Sequence, residues 1–219
     1  MSLPTEADRA EVVGYAVRNA VANVSTRSVT RTGSGSRRVA LMDFGAKRGI
    51  INALSIRDCE VWAFPHDATA QQLMQIRPDG IMLSNGPGDP ADPANNGIVA
   101  TIRLLKQSGI PIFGICLGHQ LLALANGFLT HKLKFGHRGT NQPVRDTQTG
   151  RVYITSQNHG YAVLADKGTF TNVNDGTCEG LAYGNSFSVQ FHPEAHGGPL
   201  DTAFLFDRFI ERMDAHATQ

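Results

Sequence analysis

The run Gly114-Ile115-Cys116-Leu117-Gly118-His119-Gln120 joins two segments of opposite character. Before it, Ile110-Pro111-Ile112-Phe113-Gly114-Ile115 predicts a short buried strand. After it, residues 117–126 predict a helix with Leu117, Leu121, Leu122, Leu124 and Ala125 on its apolar side. Cys116 therefore falls where a strand turns sharply into a helix. Gly114 and Gly118, two residues to either side, complete G-x-C-x-G, the cysteine form of a nucleophile elbow. Such a nucleophile projects from a tight turn, and flanking side chains would strike the crossing strand and helix. The helix amino terminus also presents N–H groups and a positive dipole end to the sulfur, which favours thiolate over thiol. The bland alternative is a buried core cysteine; the flanking glycines favour a nucleophile.

Working outward, the chain upstream of this run, from Arg38 on, alternates in the same rhythm. Strands are predicted over residues 39–42, 60–64 and 80–83, with helices over 47–58, 70–76 and 97–107. Short apolar strands alternating with helices imply a parallel sheet covered on both faces. After Gly127 the texture changes to short strand candidates at 132–144, 152–156, 161–164, 170–173 and 178–183, separated by Gly, Asn and Asp turns. These predict an antiparallel extension. Residues 187–191 alternate cleanly before His192-Pro193-Glu194, and a last helix is expected over about 201–213. The fold class expected is α/β: an open, mostly parallel sheet with helices on both faces and an antiparallel extension.

Residues 1–37 differ from the rest. Residues 11–24 alternate loosely, as a marginal strand pair does, and Thr32-Gly33-Ser34-Gly35-Ser36 has the composition of a flexible linker. This stretch is expected to be a linker or the remnant of a preceding domain, with one functional domain over 38–219.

Composition narrows the function classes. The chain has 219 residues, 41% of them hydrophobic, and a net charge of +1 with its Lys and Arg scattered, which argues against nucleic acid or an acidic membrane surface as a partner. No apolar run approaches the roughly 20 residues that span a bilayer. Three widely spaced cysteines, Cys59, Cys116 and Cys178, form neither a disulfide framework nor a zinc motif, so no metal is expected and a reducing cytoplasm fits best. Cys59 and Cys178 read as bystanders.

In an open α/β sheet, ligands sit at the carboxyl ends of the strands. Three unusual segments follow predicted strands and are expected to share that rim: Ser84-Asn85-Gly86-Pro87-Gly88-Asp89-Pro90, Cys116, and His192-Pro193-Glu194. A free thiol, with a pKa of about 8.5, needs a partner base. Of eight histidines, His192 is best placed, with Glu194 to fix its tautomer as the third member of a triad does. The other seven are read as surface or capped residues; His119, on the elbow helix, is expected to point away. Pro87 and Pro90 lack N–H donors and no Lys-Ser/Thr ending follows, so the 84–90 loop is no phosphate cradle. Its glycines allow backbone to approach a small substrate, and one N–H there with that of Leu117 forms a candidate oxyanion hole.

With Cys116, His192 and Glu194 assembled, the sequence resembles the class I (triad) glutamine amidotransferases. Four further stretches are similar to a narrower group, the small (glutaminase) subunits of carbamoyl phosphate synthases: Leu83-Ser84-Asn85-Gly86-Pro87-Gly88-Asp89-Pro90, Lys134-Phe135-Gly136-His137-Arg138-Gly139-Thr140-Asn141, Gln157-Asn158-His159-Gly160-Tyr161-Ala162-Val163 and His192-Pro193-Glu194-Ala195-His196-Gly197-Gly198-Pro199-Leu200-Asp201. The resemblance spans residues 38–212. It implies the flavodoxin-like fold of that family and hydrolysis of L-glutamine through a Cys116 thioester, with His192 protonating ammonia and Glu194 orienting His192. It carries glutamine contacts onto Gly86, Gly88, Leu117, Gln120, Asn158, Gly160 and Tyr161, the last standing where the family usually has Phe. The partner it implies is a large synthetase subunit, which binds ATP and bicarbonate, with no cofactor on this chain. In that family a further domain precedes the amidotransferase domain, so a fragment is expected here. Two rivals share the fold: a cysteine hydrolase or peptidase, and a catalytically silent partner-binding module.

Overall fold

The computed structural model describes residues 5–6, 18–198 and 200–218. A short helix α1 (Ala20–Val24) and an edge strand β1 (Thr30–Thr32) precede the first core strand, β2 (Arg37–Met42). The expected strand pair over 11–24 falls partly outside the described residues, and its described end is helix. The chain then alternates: α2 (Arg48–Ser55), β3 (Cys59–Phe64), α3 (Ala70–Met74), β4 (Gly80–Leu83), α4 (Asn96–Lys106), β5 (Ile112–Ile115) and α5 (Leu117–Ala125). Beyond this come β6 (Leu129–Asp146), β7 (Val152–Leu164), β8 (Phe170–Asn172), β9 (Cys178–Tyr183), β10 (Ser186–Val189) and α6 (Phe204–Ala217).

The period-2 pattern of the early strands sorts the core. In β2, Val39 and Leu41 face one side, against Ile50 and Leu54 of α2 and Phe206 and Phe209 of α6. Ala40 and Met42 face the other, where Leu73 of α3, Ile102 and Leu105 of α4, and Leu121 and Leu122 of α5 cover them. Side chains buried on both faces make the near-continuous apolar runs seen in the sequence. Phe113 stacks on Phe187 at 4.4 Å between ring centroids and meets Phe206 edge-on at 5.6 Å, contacts worth about 0.5–1.5 kcal/mol each beyond their buried area.

The described strands form one ten-stranded sheet in the order β1-β3-β2-β4-β5-β10-β9-β7-β6-β8. The run β3-β2-β4-β5-β10 is parallel; counted in chain order, those strands lie 2-1-3-4-5. The rest is antiparallel, so the sheet is evenly mixed and not mostly parallel as expected. The reason is connection length: after Gly127 no helix separates successive strands until α6, and parallel neighbours need a crossover of a dozen or more residues. β8 pairs with both β6 and β9, and β9 also touches β7, closing a ring of four strands.

Two local expectations fail for physical reasons. Residues 152–156 and 161–164 are not separate strands; β7 runs unbroken through Gln157-Asn158-His159-Gly160, where Gln157 and His159 point inward and are hydrogen-bonded. The Thr32 to Ser36 segment is not loose either. A Cβ on Gly35 would stand 2.2 Å from the Asp58 carbonyl oxygen, so this glycine permits backbone contact with the β3 approach.

Candidate active site

β5 ends at Ile115 and α5 begins at Leu117, leaving one residue to turn the chain. Cys116 does so at φ 54° and ψ −105°. A side chain in such a conformation costs about 1–3 kcal/mol and persists only where the surroundings hold it. Here the Cys116 N–H donates to the Val189 carbonyl at 2.9 Å and its carbonyl accepts from the Gln120 N–H at 3.2 Å. A Cβ on Gly118 would lie 2.2 Å from the Leu83 oxygen, and one on Gly114 would lie 2.7 Å from the Gly118 oxygen. Helix and strand thus cross at a separation that only glycine permits, and the thiol is carried on the elbow.

β10 lies beside β5 and delivers the second element. His192 follows it and is anchored by its N–H to the Ser156 carbonyl at 2.9 Å. Its Nδ1 donates to Glu194 Oε1 at 2.7 Å, which leaves Nε2 for the Cys116 sulfur, to which the ring is also hydrogen-bonded. Burial lowers the basicity of this imidazole, yet the bonds to Cys116 and Glu194 outweigh it and push the pKa up to about 9. The His192 ring is therefore held protonated near neutrality. Glu194 is 4% exposed, with Oε2 free of any hydrogen-bond partner among the described residues. Lys47, which the sequence did not single out, places Nζ 3.8 Å from Glu194 Oε1 and 3.3 Å from His192 Nδ1.

The third segment, residues 84–90, abuts the elbow: the Gly118 N–H donates to the Ser84 carbonyl at 3.0 Å, and a Cβ on Gly86 would meet Leu117 Cδ2 at 2.7 Å. A cavity of about 890 Å³ opens in front of Cys116. Gly86, Gly88, Gln120, Asn158, Gly160 and Tyr161 all line it. Leu117 lies beneath, 1% exposed, with its N–H the first of α5 and so without an intrahelical acceptor. Gln120 gives Nε2 to the Tyr161 carbonyl and to Gln190 Oε1, both at 2.8 Å. The Tyr161 hydroxyl bonds to Asp89, and burial with that carboxylate raises its pKa.

Sequence reasoning missed part of the wall. Arg18 and Asn19 line the cavity just ahead of α1, as do Lys132, Arg138 and His159 from β6 and β7. The reading of seven histidines as surface or capped also fails. His159 is buried, and His119 is fully enclosed, with Nδ1 2.8 Å from Ser188 Oγ and a pKa pushed down to about 3 by burial. His119 does point away from the cavity. Cys59 and Cys178 are buried thiols pushed up to about 11, chiefly by burial, as suits bystanders. No helix of the described residues is long and apolar enough to cross a membrane.

The chain is similar to proteins of a known family. A family model described as glutamine amidotransferase class-I matches residues 40–212. The chain is 48% identical over 206 residues to a carbamoyl phosphate synthase pyrimidine-specific small chain of Bacillus subtilis, covering 90% of this chain and 55% of that protein. It is 46% identical over 211 residues to a carbamoyl phosphate synthase small chain of Symbiobacterium thermophilum, covering 93% and 58% respectively. The chain thus spans about half the length of the curated relatives it matches. Among solved structures, a putative GMP synthase subunit from Thermoplasma acidophilum aligns with a TM-score of 0.71 at 20% identity, over 85% of this chain and 98% of that one. A glutamine amidotransferase from Thermotoga maritima aligns with a TM-score of 0.61 at 16% identity, over 84% and 85%.

Proposed function

The chain belongs to the class-I glutamine amidotransferase family, and from that premise we propose that it is the glutaminase portion of a carbamoyl phosphate synthase small subunit. The observation that carries this reading is the elbow cysteine at φ 54° with the His192–Glu194 pair behind it and a polar cavity in front. Residues 38–219 form the amidotransferase domain. The 2-1-3-4-5 order of the parallel strands supports reading that half of the sheet as flavodoxin-like.

The Cys116 thiolate attacks the carboxamide carbon of L-glutamine, forming a C–S bond and a tetrahedral oxyanion. The Leu117 N–H and one N–H of the 84–90 loop are the proposed donors to that oxygen, and losing one such donor costs about 10²–10³ in rate. The C–N bond breaks as the His192 imidazolium gives its proton to the departing nitrogen, releasing ammonia. Neutral His192 then takes a proton from water, which attacks the γ-glutamyl thioester, and glutamate and the thiolate–imidazolium pair return. Glu194 holds the ring throughout. Glutamine itself is a zwitterion, and the cavity offers Arg138 and Lys132 for its carboxylate and Asp89 for its ammonium. The backbone of Gly88, Asn158, Gly160 and Tyr161 fixes the rest, with Gln120 bracing the Tyr161 carbonyl. Since that bond is made by main chain, Tyr in place of Phe at 161 is compatible with the role. Ammonia passes to a large synthetase subunit, the proposed site of ATP and bicarbonate chemistry, and the three free thiols suit the cytoplasm.

The test is ammonia release from L-glutamine, compared with asparagine and a glutamine-containing peptide, in the wild type and in Cys116→Ser. Release from glutamine alone, absent in the variant, is expected. Cleavage of the peptide without glutamine hydrolysis would establish the cysteine-peptidase alternative instead.

A further inference from the structure

Behind the cavity wall, β6, β7 and β9 bring His137, His159 and Glu179 together, with ligand atoms all within 4.8 Å of one another. His159 and Glu179 are buried, and the His137 side chain is 11% exposed. The protons in this cluster can be counted. His159 Nδ1 stands 2.8 Å from the Tyr161 carbonyl, which only accepts, so Nδ1 carries the hydrogen and Nε2 of the neutral ring presents a lone pair. Facing that lone pair at 2.9 Å is Gln157 Oε1, a second acceptor. The amide is held that way round: Thr155 Oγ1 donates to the Gln142 carbonyl at 2.8 Å and therefore accepts from Gln157 Nε2 at 3.1 Å. His137 gives Nε2–H to Asp175 Oδ2 at 2.8 Å. Its Nδ1 lies 3.2 Å from His159 Nε2 and 3.3 Å from Glu179 Oε1. Glu179 Oε1 accepts from Asn172 Nδ2 at 3.1 Å and Gln157 also acts on this carboxylate, while Oε2, in a side chain with 0% exposure, has no hydrogen-bond partner among the described residues.

Two imidazole nitrogens, an amide oxygen and a carboxylate with one unpartnered oxygen thus converge. A cation at their centre could be shared by all four and would meet the unpartnered Glu179 Oε2. Bonds of about 2.0–2.1 Å in tetrahedral geometry imply ligand-to-ligand edges of about 3.3–3.4 Å, and the two edges at His137 Nδ1 are 3.2 and 3.3 Å. The far nitrogen of each ring is pinned by an acceptor, Asp175 or the Tyr161 carbonyl, as in metal-ligating histidines. We propose that His137, His159 and Glu179, with Gln157 Oε1 as fourth ligand, bind a divalent transition ion of the zinc class. The ion displaces the His137 Nδ1 proton to solvent. It staples three strands behind Asn158, Gly160 and Tyr161, so it supports the cavity wall and takes no part in bond making.

The test titrates Co(II), then competing Zn(II), into the full chain carrying Cys116→Ser, which removes the one thiol that opens on the cavity. One equivalent of Co(II) with the visible absorption of a four-coordinate N/O site is expected, displaced by Zn(II). Asp175→Asn, at a half-exposed position, should weaken Zn(II) binding about 10–100-fold, and Glu179→Gln should weaken it further with circular dichroism unchanged. Absence of saturable binding would overturn the proposal, as would an affinity that neither Asp175→Asn nor Glu179→Gln alters; either result leaves a purely hydrogen-bonded cluster.

Discussion

At the scale of single residues, the proton on the His192 ring governs how the site responds to pH and to mutation. His192 has a pKa raised from 6.5 to about 9, so its contribution to stability is complete below about 6.5 and is lost as pH rises through about 9. In the proposed mechanism, the imidazolium that protonates the departing nitrogen disappears over the same range. The pH profile of kcat/KM for glutamine should therefore fall above about 9, and Glu194→Gln, which weakens one of the bonds that raise the value, should move that limb to lower pH. An unmoved limb would mean that Glu194 does not act through His192. Severity should differ as well: Glu194→Ala is expected to be about 10²-fold milder than His192→Ala, since an orienting member costs less than the proton carrier. Steady-state ammonia release measures both, and the reverse ranking would exchange the assigned roles. These residues were legible in the sequence because each sits beside glycine or proline punctuation at a strand end. Lys47 was not, since it reaches His192 across 145 positions of chain and belongs to no local pattern.

Elements were legible where burial is two-sided and helices intervene. The expected strands at 39–42, 60–64 and 80–83 each lie within the observed β2, β3 and β4 or match them to the residue. β7 was misread because its inward positions carry Gln157 and His159, polar groups that pass for a turn until their hydrogen-bond partners are known. The crossing of β4, β5 and α5 is the junction most sensitive to volume. A methyl on Gly118 would meet the backbone oxygen of Leu83, which cannot rotate away. Gly118→Ala should therefore lower stability by about 1–3 kcal/mol and the Tm by several degrees, with a greater loss of glutaminase rate as Cys116 is displaced. A thermal melt equal to the wild type would show that the elbow yields more readily than its contacts indicate.

For the whole molecule, the parallel half was legible from its alternation with helices, whereas the extent of the antiparallel half depended on hairpins that close over long polar strands. The ring formed by β6, β7, β8 and β9 has a consequence for behaviour in concentrated solution. A sheet ordinarily ends in two rows of unpaired N–H and C=O groups, each a template for a strand from another molecule. Here β8 turns back onto β9 and covers the end of β6 at Val144 to Asp146, while at the far side of the sheet β1 leaves such a row open. That row is three residues long, and its central Arg31 is paired with Glu60 and lies 5.5 Å over the Trp62 ring. A short, charged border is a poor seed for intermolecular β-pairing. Arg31→Val should leave glutamine hydrolysis unchanged and raise the rate of light-scattering aggregation on mild heating, since it strips the charge from that border and leaves it open to a strand from another molecule.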